Sequence, residues 1–191
     1  MDLYLIRHTR PQIEAGICYG QIEVPLAPTC VEDCAKVAAR LPSLEAVWTS
    51  PQARCRSLAE AIGLRVGVAP VTDERLCELG FGEWEGRRWA TIRSDESERW
   101  AADYWNVSPP GGETYRDLYE RVCLALAEIL ACNAHRVAVV THAGPIRAAL
   151  VRGLRLEPRR YPEIKLDYGG INLFRVDAAN DAAWRLEYLN G

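Results

Sequence analysis

Residues 3–11 read LYLIRHTRP. The first four, Leu3, Tyr4, Leu5 and Ile6, have the composition of a buried strand. Arg7 and His8 follow side by side, and Pro11 blocks any simple continuation of the strand. A strand that belongs in the core therefore ends on a guanidinium and an imidazole. Burying such groups is costly unless the end of the strand uses them.

Four more segments share the apolar, β-branched character of the first: residues 45–49, 66–70, 136–141 and 171–176, with a weaker one at 184–189. Helical patterns lie between them. Thr29 is an expected N-cap for a helix to Leu41, stopped by Pro42. Pro51 fits the first turn of a helix running to Ile62, with Gly63 just past its end. Residues 114–134 place Leu118, Val122, Leu126, Ile129 and Leu130 on one face. Pro145 is expected to open a last helix over 146–153. Strands alternating with helices predict an α/β fold with a largely parallel sheet.

One stretch breaks that rhythm. Residues 80–112 contain no clear strand, hold four of the six tryptophans (84, 89, 100 and 105) and close on Pro109-Pro110-Gly111-Gly112. Two readings stand together: an excursion with its own small core, and a cover whose aromatic faces meet a ligand. The chain is otherwise free of repeats and linkers, so residues 1–191 are expected to form one domain.

Composition removes several function classes. A formal net charge of -3 and a pI near 5.7 argue against nucleic acid or an anionic membrane as partner. Any anionic ligand must be caught by a local positive pocket. No apolar run reaches the roughly 20 residues of a membrane span, and Asp2 stands where a signal peptide has basic residues. Seven scattered cysteines, an odd number, suit a reduced, cytoplasmic protein. Cys30, Cys34, Cys132 and His135 could be imagined as a zinc set, but they lack paired ligand spacing and read better as buried thiols on helices. No metal or cofactor is expected, and oligomeric state is not readable.

The chain has three histidines, and two of them end strands. His8 ends the first, and His142 ends VAVVTH, followed by AGP and a helix. Strands of a parallel sheet present their carboxyl ends along one edge, where ligands bind. Arg54, one turn into the helix after AVWTS, starts near the same edge as Arg7; Arg56 reads as a surface residue. Two arginines, two histidines and two helix N-termini form a trap suited to a phosphate dianion. An acid is still needed. Glu78 is the candidate, with Glu83 and Glu85 as competitors that local sequence does not separate.

Together, LIRHTRP, TSPQARCRSLAEAI, CELGFGEWEG, PPGGETYRDL and VVTHAGPIRAAL resemble the histidine phosphatase superfamily, also called phosphoglycerate-mutase-like. Their order and spacing match over most of the chain. The resemblance implies a three-layer α/β/α sandwich and a phosphohistidine formed on His8. It makes Arg7, Arg54 and His142 the phosphate pocket and Glu78 the proton donor, with Thr9, Glu113 and Ala143 as further substrate contacts. Three departures stand out: Thr9 replaces the usual glycine, Leu58 replaces a frequent threonine, and no asparagine lies between Thr9 and Ile17. Within the superfamily, the short chain, RHTRP and CYGQIEVPLA look most like the α-ribazole phosphatase branch of cobalamin synthesis, which removes a 5'-phosphate from a benzimidazole ribonucleotide. The alternatives are a phosphoglycerate mutase, a broad sugar or nucleotide phosphatase, a zinc hydrolase using His8, His142 and Glu78, and a non-catalytic phosphate-binding module.

Overall fold

The first strand forms as its sequence implies. In a computed structural model, which describes residues 1–158, 164–177 and 184–191, β1 (Asp2–Arg7) buries Leu3, Tyr4, Leu5 and Ile6. Successive strand side chains face opposite ways. Leu3 and Leu5 accordingly enter one core with Leu118, Val122 and Ile146, while Tyr4 and Ile6 enter another with Val37, Leu58 and Ile62. Those two cores are the interfaces of three layers.

The helices are α1 (Cys30–Ala39) and α2 (Ala53–Val66) on one face, with α4 (Tyr115–Ala131) and α5 (Ala143–Leu154) on the other. Between them lies a six-stranded sheet ordered β3-β2-β4-β1-β5-β6, where β2 is Ala46–Thr49, β3 Val71–Thr72, β4 Arg136–Thr141, β5 Ile171–Val176 and β6 Trp184–Tyr188. β3, β2, β4 and β1 run parallel; β5 is antiparallel to both β1 and β6. The parallel core and three layers match the fold expected, with the turnabout confined to β5.

Several boundaries differ from the sequence reading, each for a local reason. The strand expected over 66–70 is absent, because α2 runs on to Val66 and stops at Gly67 in the left-handed conformation. Gly63 is not a stop: a side chain there would collide with the Val68 carbonyl, which folds back over the helix. The strand forms later, as the two-residue β3, beyond Pro70. Thr29 occupies the N-cap of α1, but its hydroxyl donates to Asp33 (2.8 Å) rather than accepting from the backbone. Thr114 does cap α4, in a reciprocal pair with Asp117. α5 begins at Ala143, ahead of the expected start, with Pro145 within its first turn.

The tryptophan-rich stretch folds as short turns and one helix, α3 (Ser94–Ala102). Trp84, Ile92 and Cys18 form its small core, with Phe81 and Trp100 packed against it. The Trp84 and Trp100 rings meet edge to face at 5.8 Å, a favoured aromatic geometry. Trp105 leaves this group and packs on Tyr115 and Tyr119 of α4.

Candidate active site

Register brings the site together. β1 pairs with β4 so that Arg7 faces Thr141, and His8 N donates to the Thr141 carbonyl at 3.0 Å. The next residue on each strand is a histidine. Ser50, just beyond β2, likewise donates its N–H to Val140 O at 3.0 Å. Three adjacent strand ends thus deliver His8, His142 and Ser50 to one edge, and the two imidazole rings lie 5.0 Å apart.

His8 is buried, and its Nδ1 lies 2.8 Å from its neighbour's carbonyl, Thr9 O. A carbonyl can only accept, so Nδ1 carries the proton and Nε2 is left with a lone pair. Burial pushes the His8 pKa well below its ordinary value, and the Arg54 and Arg7 charges push the same way against the Thr9 bond. The ring is neutral at neutral pH. Thr9 supplies this with its backbone; its hydroxyl faces Cys34 Sγ at 3.7 Å and Cys30 Sγ at 4.0 Å. Thr9 does not adopt positive φ, so glycine is not required there.

Arg54 is 1% exposed, so its charge must be met inside the protein. Its Nη1 donates to Ile22 O at 3.0 Å, its Nη2 donates to Gly20 O, and its Nε donates to His142 Nδ1 at 3.3 Å. That last bond fixes the His142 tautomer: the proton sits on Nε2, which faces Ser50 Oγ (2.8 Å) and Gln52 Oε1 (2.9 Å). Burial, then the charge of His8 and the nearby arginines, holds the His142 pKa well down. The Cys55 thiol packs 3.4 Å from the same Nε2, and burial pushes its pKa up, so it stays protonated.

Arg7 supplies the second guanidinium. Its Nη1 donates to Leu166 O at 2.6 Å, while its Nε is buried with no hydrogen-bond partner. The Arg7 guanidinium sits 3.8 Å from the centre of the Tyr168 ring, and that ring lies 5.5 Å from His8. The Tyr168 hydroxyl bonds that of Tyr19 at 2.6 Å, and Tyr19 in turn faces Arg54 at 5.5 Å. Each guanidinium therefore has an aromatic face against it.

Glu78 stands on the other flank. Its carboxylate accepts from Leu79 N (2.9 Å) and from Gly144 N (3.0 and 3.3 Å), at the positive end of α5. A side chain at residue 144 would overlap Glu78 Oε1, so this docking needs glycine there. Beside Glu78 opens a cavity of about 380 Å3 lined by Leu79, Phe81, Trp100, Tyr104 and Tyr115. Arg121 holds the loop in place: it donates to the carbonyls of Arg75 (2.8 Å), Cys77 (2.7 Å) and Glu78 (2.9 Å), and pairs with Glu113.

The description "Histidine phosphatase superfamily (branch 1)" matches residues 3–190. This chain belongs to that superfamily. A putative phosphoserine phosphatase 2 from Hydrogenobacter thermophilus is 28% identical over 98% of this chain and 94% of its own. A probable phosphoglycerate mutase GpmB from Proteus mirabilis is 30% identical over 94% and 86%. In fold, the chain resembles the α-ribazole phosphatase from Shigella flexneri, with a TM-score of 0.89, 22% identity and coverage of 100% and 96%.

In this histidine phosphatase superfamily member, His8, Arg7, Arg54 and His142 meet at one sheet edge. Of the three candidate glutamates, Glu78 lines the aromatic cavity; Glu85 is bound to the backbone of Gln21, Ile22 and Phe81, and Glu83 is exposed. Two residues sit differently from the substrate-contact role that the sequence suggested. Glu113 spends its oxygens on Gly80 N, Gln21 and Arg121, so it braces the Glu78 loop. His142 has both ring nitrogens engaged, and its Nε2–H would have to leave Ser50 and Gln52 to reach a phosphate. Ala143 opens α5 and has only backbone to offer. Among the described residues no group of three or more His, Cys, Asp or Glu side chains converges as a metal site. The sequence reading missed Ser50, Gln52, Arg121, Tyr19 and Tyr168. Ser50 and Gln52 lie inside the quoted segment TSPQARCRS, where they resemble ordinary helix-start residues.

Proposed function

We propose that this protein hydrolyses phosphomonoesters through a phosphohistidine on His8, and that its substrates carry an aromatic group on the alcohol. The observation that carries the chemistry is the His8 ring: neutral, with Nδ1 committed to Thr9 O and only Nε2 free to attack. The Nε2 lone pair forms a bond to phosphorus as the ester P–O bond breaks. Arg7 and Arg54, flanking the ring, offset charge on the phosphoryl oxygens, and the unpartnered Arg7 Nε is a donor ready for one of them. Glu78 gives its proton to the departing alkoxide. In the second half-reaction it takes a proton from water, whose oxygen displaces His8 from phosphorus and releases inorganic phosphate. His142 acts chiefly by orienting Arg54.

The cavity beside Glu78 supports this substrate class. The leaving alcohol must sit against that carboxyl, and the wall there is Phe81, Trp100, Tyr104 and Tyr115. The benzimidazole base of α-ribazole 5'-phosphate is a planar group of this kind, and likeness in fold to the Shigella flexneri enzyme points the same way. The Proteus mirabilis relative supports a second reading, a mutase that retains its phosphoryl group for another acceptor.

A single assay series separates these readings: hydrolysis of α-ribazole 5'-phosphate, phosphoserine and 3-phosphoglycerate, with and without chelator, by the unaltered chain and by His8→Ala. The expected result is chelator-insensitive release of phosphate, fastest from α-ribazole 5'-phosphate, with the variant down by at least about a thousandfold. Undiminished turnover by His8→Ala would falsify the phosphohistidine scheme. Phosphoryl label held on His8 for minutes would favour the mutase.

A further inference from the structure

Tyr168 also lines a larger cavity, of about 730 Å3, and apart from Arg7 the catalytic scheme does not use its charged wall. Arg7, Arg10, Lys36, Arg40, Arg147 and Lys165 line it, against only Asp33 and Asp167. A chain with a net charge of -3 thus gathers six cations around two carboxylates in one hollow. Mutual repulsion makes such a cluster unfavourable in the absence of a counter-charge. Part of that charge is met nearby: Lys36 pairs with Glu32 at 2.7 Å, and Lys165 lies 3.9 Å from Asp167.

Part of the cluster is held in place and part is exposed. Arg40 donates to the carbonyls of Gly169 (3.3 Å) and Gly191, and Arg147 Nε donates to Ile164 O at 2.9 Å, so both stems are fixed by backbone. Arg10, exposed, rests 4.9 Å from the Tyr168 ring. Lys36 and Lys165 stand at the rim, 65% and 87% exposed. Backbone-held guanidiniums beside exposed ammoniums suit a multidentate oxyanion. The volume lies in the range of small-molecule sites, roughly 300–1,000 Å3.

From this geometry we infer that the cavity is a second anion subsite, which takes a phosphate or diphosphate group. It shares Arg7 with the catalytic centre, and Tyr168, whose ring lies 5.5 Å from that of His8, is part of its lining. The group arrives in one of two ways: as a second phosphate on the ester being hydrolysed, or as a free anion that modulates the enzyme. The subsite itself does not depend on the reaction assigned to His8.

The test is calorimetric titration of the full chain with inorganic pyrophosphate, beside the double variant Lys36→Glu/Lys165→Glu. The expected result is two pyrophosphates per chain, of which the variant loses one or binds it at least tenfold more weakly. The variant keeps its kcat/KM for p-nitrophenyl phosphate within twofold. Pyrophosphate binding that the double variant leaves unchanged in number and affinity overturns the subsite. Kinetics then distinguishes the sources. A KM rise confined to adenosine 3',5'-bisphosphate, with that for adenosine 5'-monophosphate unchanged, assigns the anion to the substrate. A rate response to free pyrophosphate that only the unaltered chain shows assigns it to an effector. Two bound pyrophosphates with no turnover of any ester would sink the catalytic reading and leave the subsite standing.

Discussion

The floor of the active site and its aromatic wall are built by different means. The floor rests on backbone register: Arg7 opposite Thr141 puts His8 and His142 at equivalent positions, and buried hydrogen bonds fix their tautomers. The wall rests on side-chain packing, with Phe81 and Trp100 leaning on a small core of Trp84, Ile92 and Cys18. Under the proposed function, a register-built floor fixes where atoms react and a packed wall sets which alcohol fits. Chemistry and selectivity should therefore fail separately.

The largest effect is expected where floor and wall meet. Gly144→Ala places a methyl group on Glu78 Oε1 and drives the carboxyl off the α5 terminus. Loss of a positioned acid costs about 10²–10⁴ in rate. The drop should be near that for alkyl phosphates and much smaller for p-nitrophenyl phosphate, whose leaving group needs little protonation. Equal losses on both would mean that Glu78 is not the donor, and the line between floor and wall would have to be redrawn.

Trp100→Ala tests the wall. Removing one ring from the cavity should raise KM for an ester of an aromatic alcohol about tenfold. The kcat for glycerol phosphate should hold within twofold. If both substrates suffer alike, the wall is a structural prop and does not choose the alcohol.

A smaller effect sharpens the floor. An unfolded imidazole takes its proton near pH 6.5, whereas His8 and His142 are held well below that in the folded chain, chiefly by burial. As pH falls below 6.5 the unfolded state binds more protons than the native state, so stability declines; above 6.5 it is fully present. Each imidazole contributes a slope of at most about 1.4 kcal/mol per pH unit. Urea midpoints between about pH 7 and about pH 5.5 should fall, and His8→Asn should fall less steeply. Parallel slopes for the two proteins would show that His8 takes up its proton in the native state as it does in the unfolded chain.

Legibility in the sequence follows the same division. β1, β4, β5 and α4 could be read because their apolar periods match burial that the fold supplies. So could the convergence of Arg7, His8, Arg54 and His142, because the ends of parallel strands share an edge. Gly63 misled because a glycine kept for close approach is spelled like one kept for a stop. Glu78 could not be separated from Glu83 and Glu85, since what selects it is a backbone N–H 66 residues later. Tyr19 and Tyr168 are 149 residues apart and meet only through the sheet. Pairings of that kind have no local signal.

The placement of the two imidazoles has a consequence for how this molecule comes apart. β1 and β4 are flanked by strands on both sides, whereas the wall hangs on short turns and a nine-residue helix. Local opening begins where buried apolar contacts are fewest and reaches central strands last. Under the proposed function, the protein on its way to unfolding stops choosing among alcohols before it stops presenting a nucleophile.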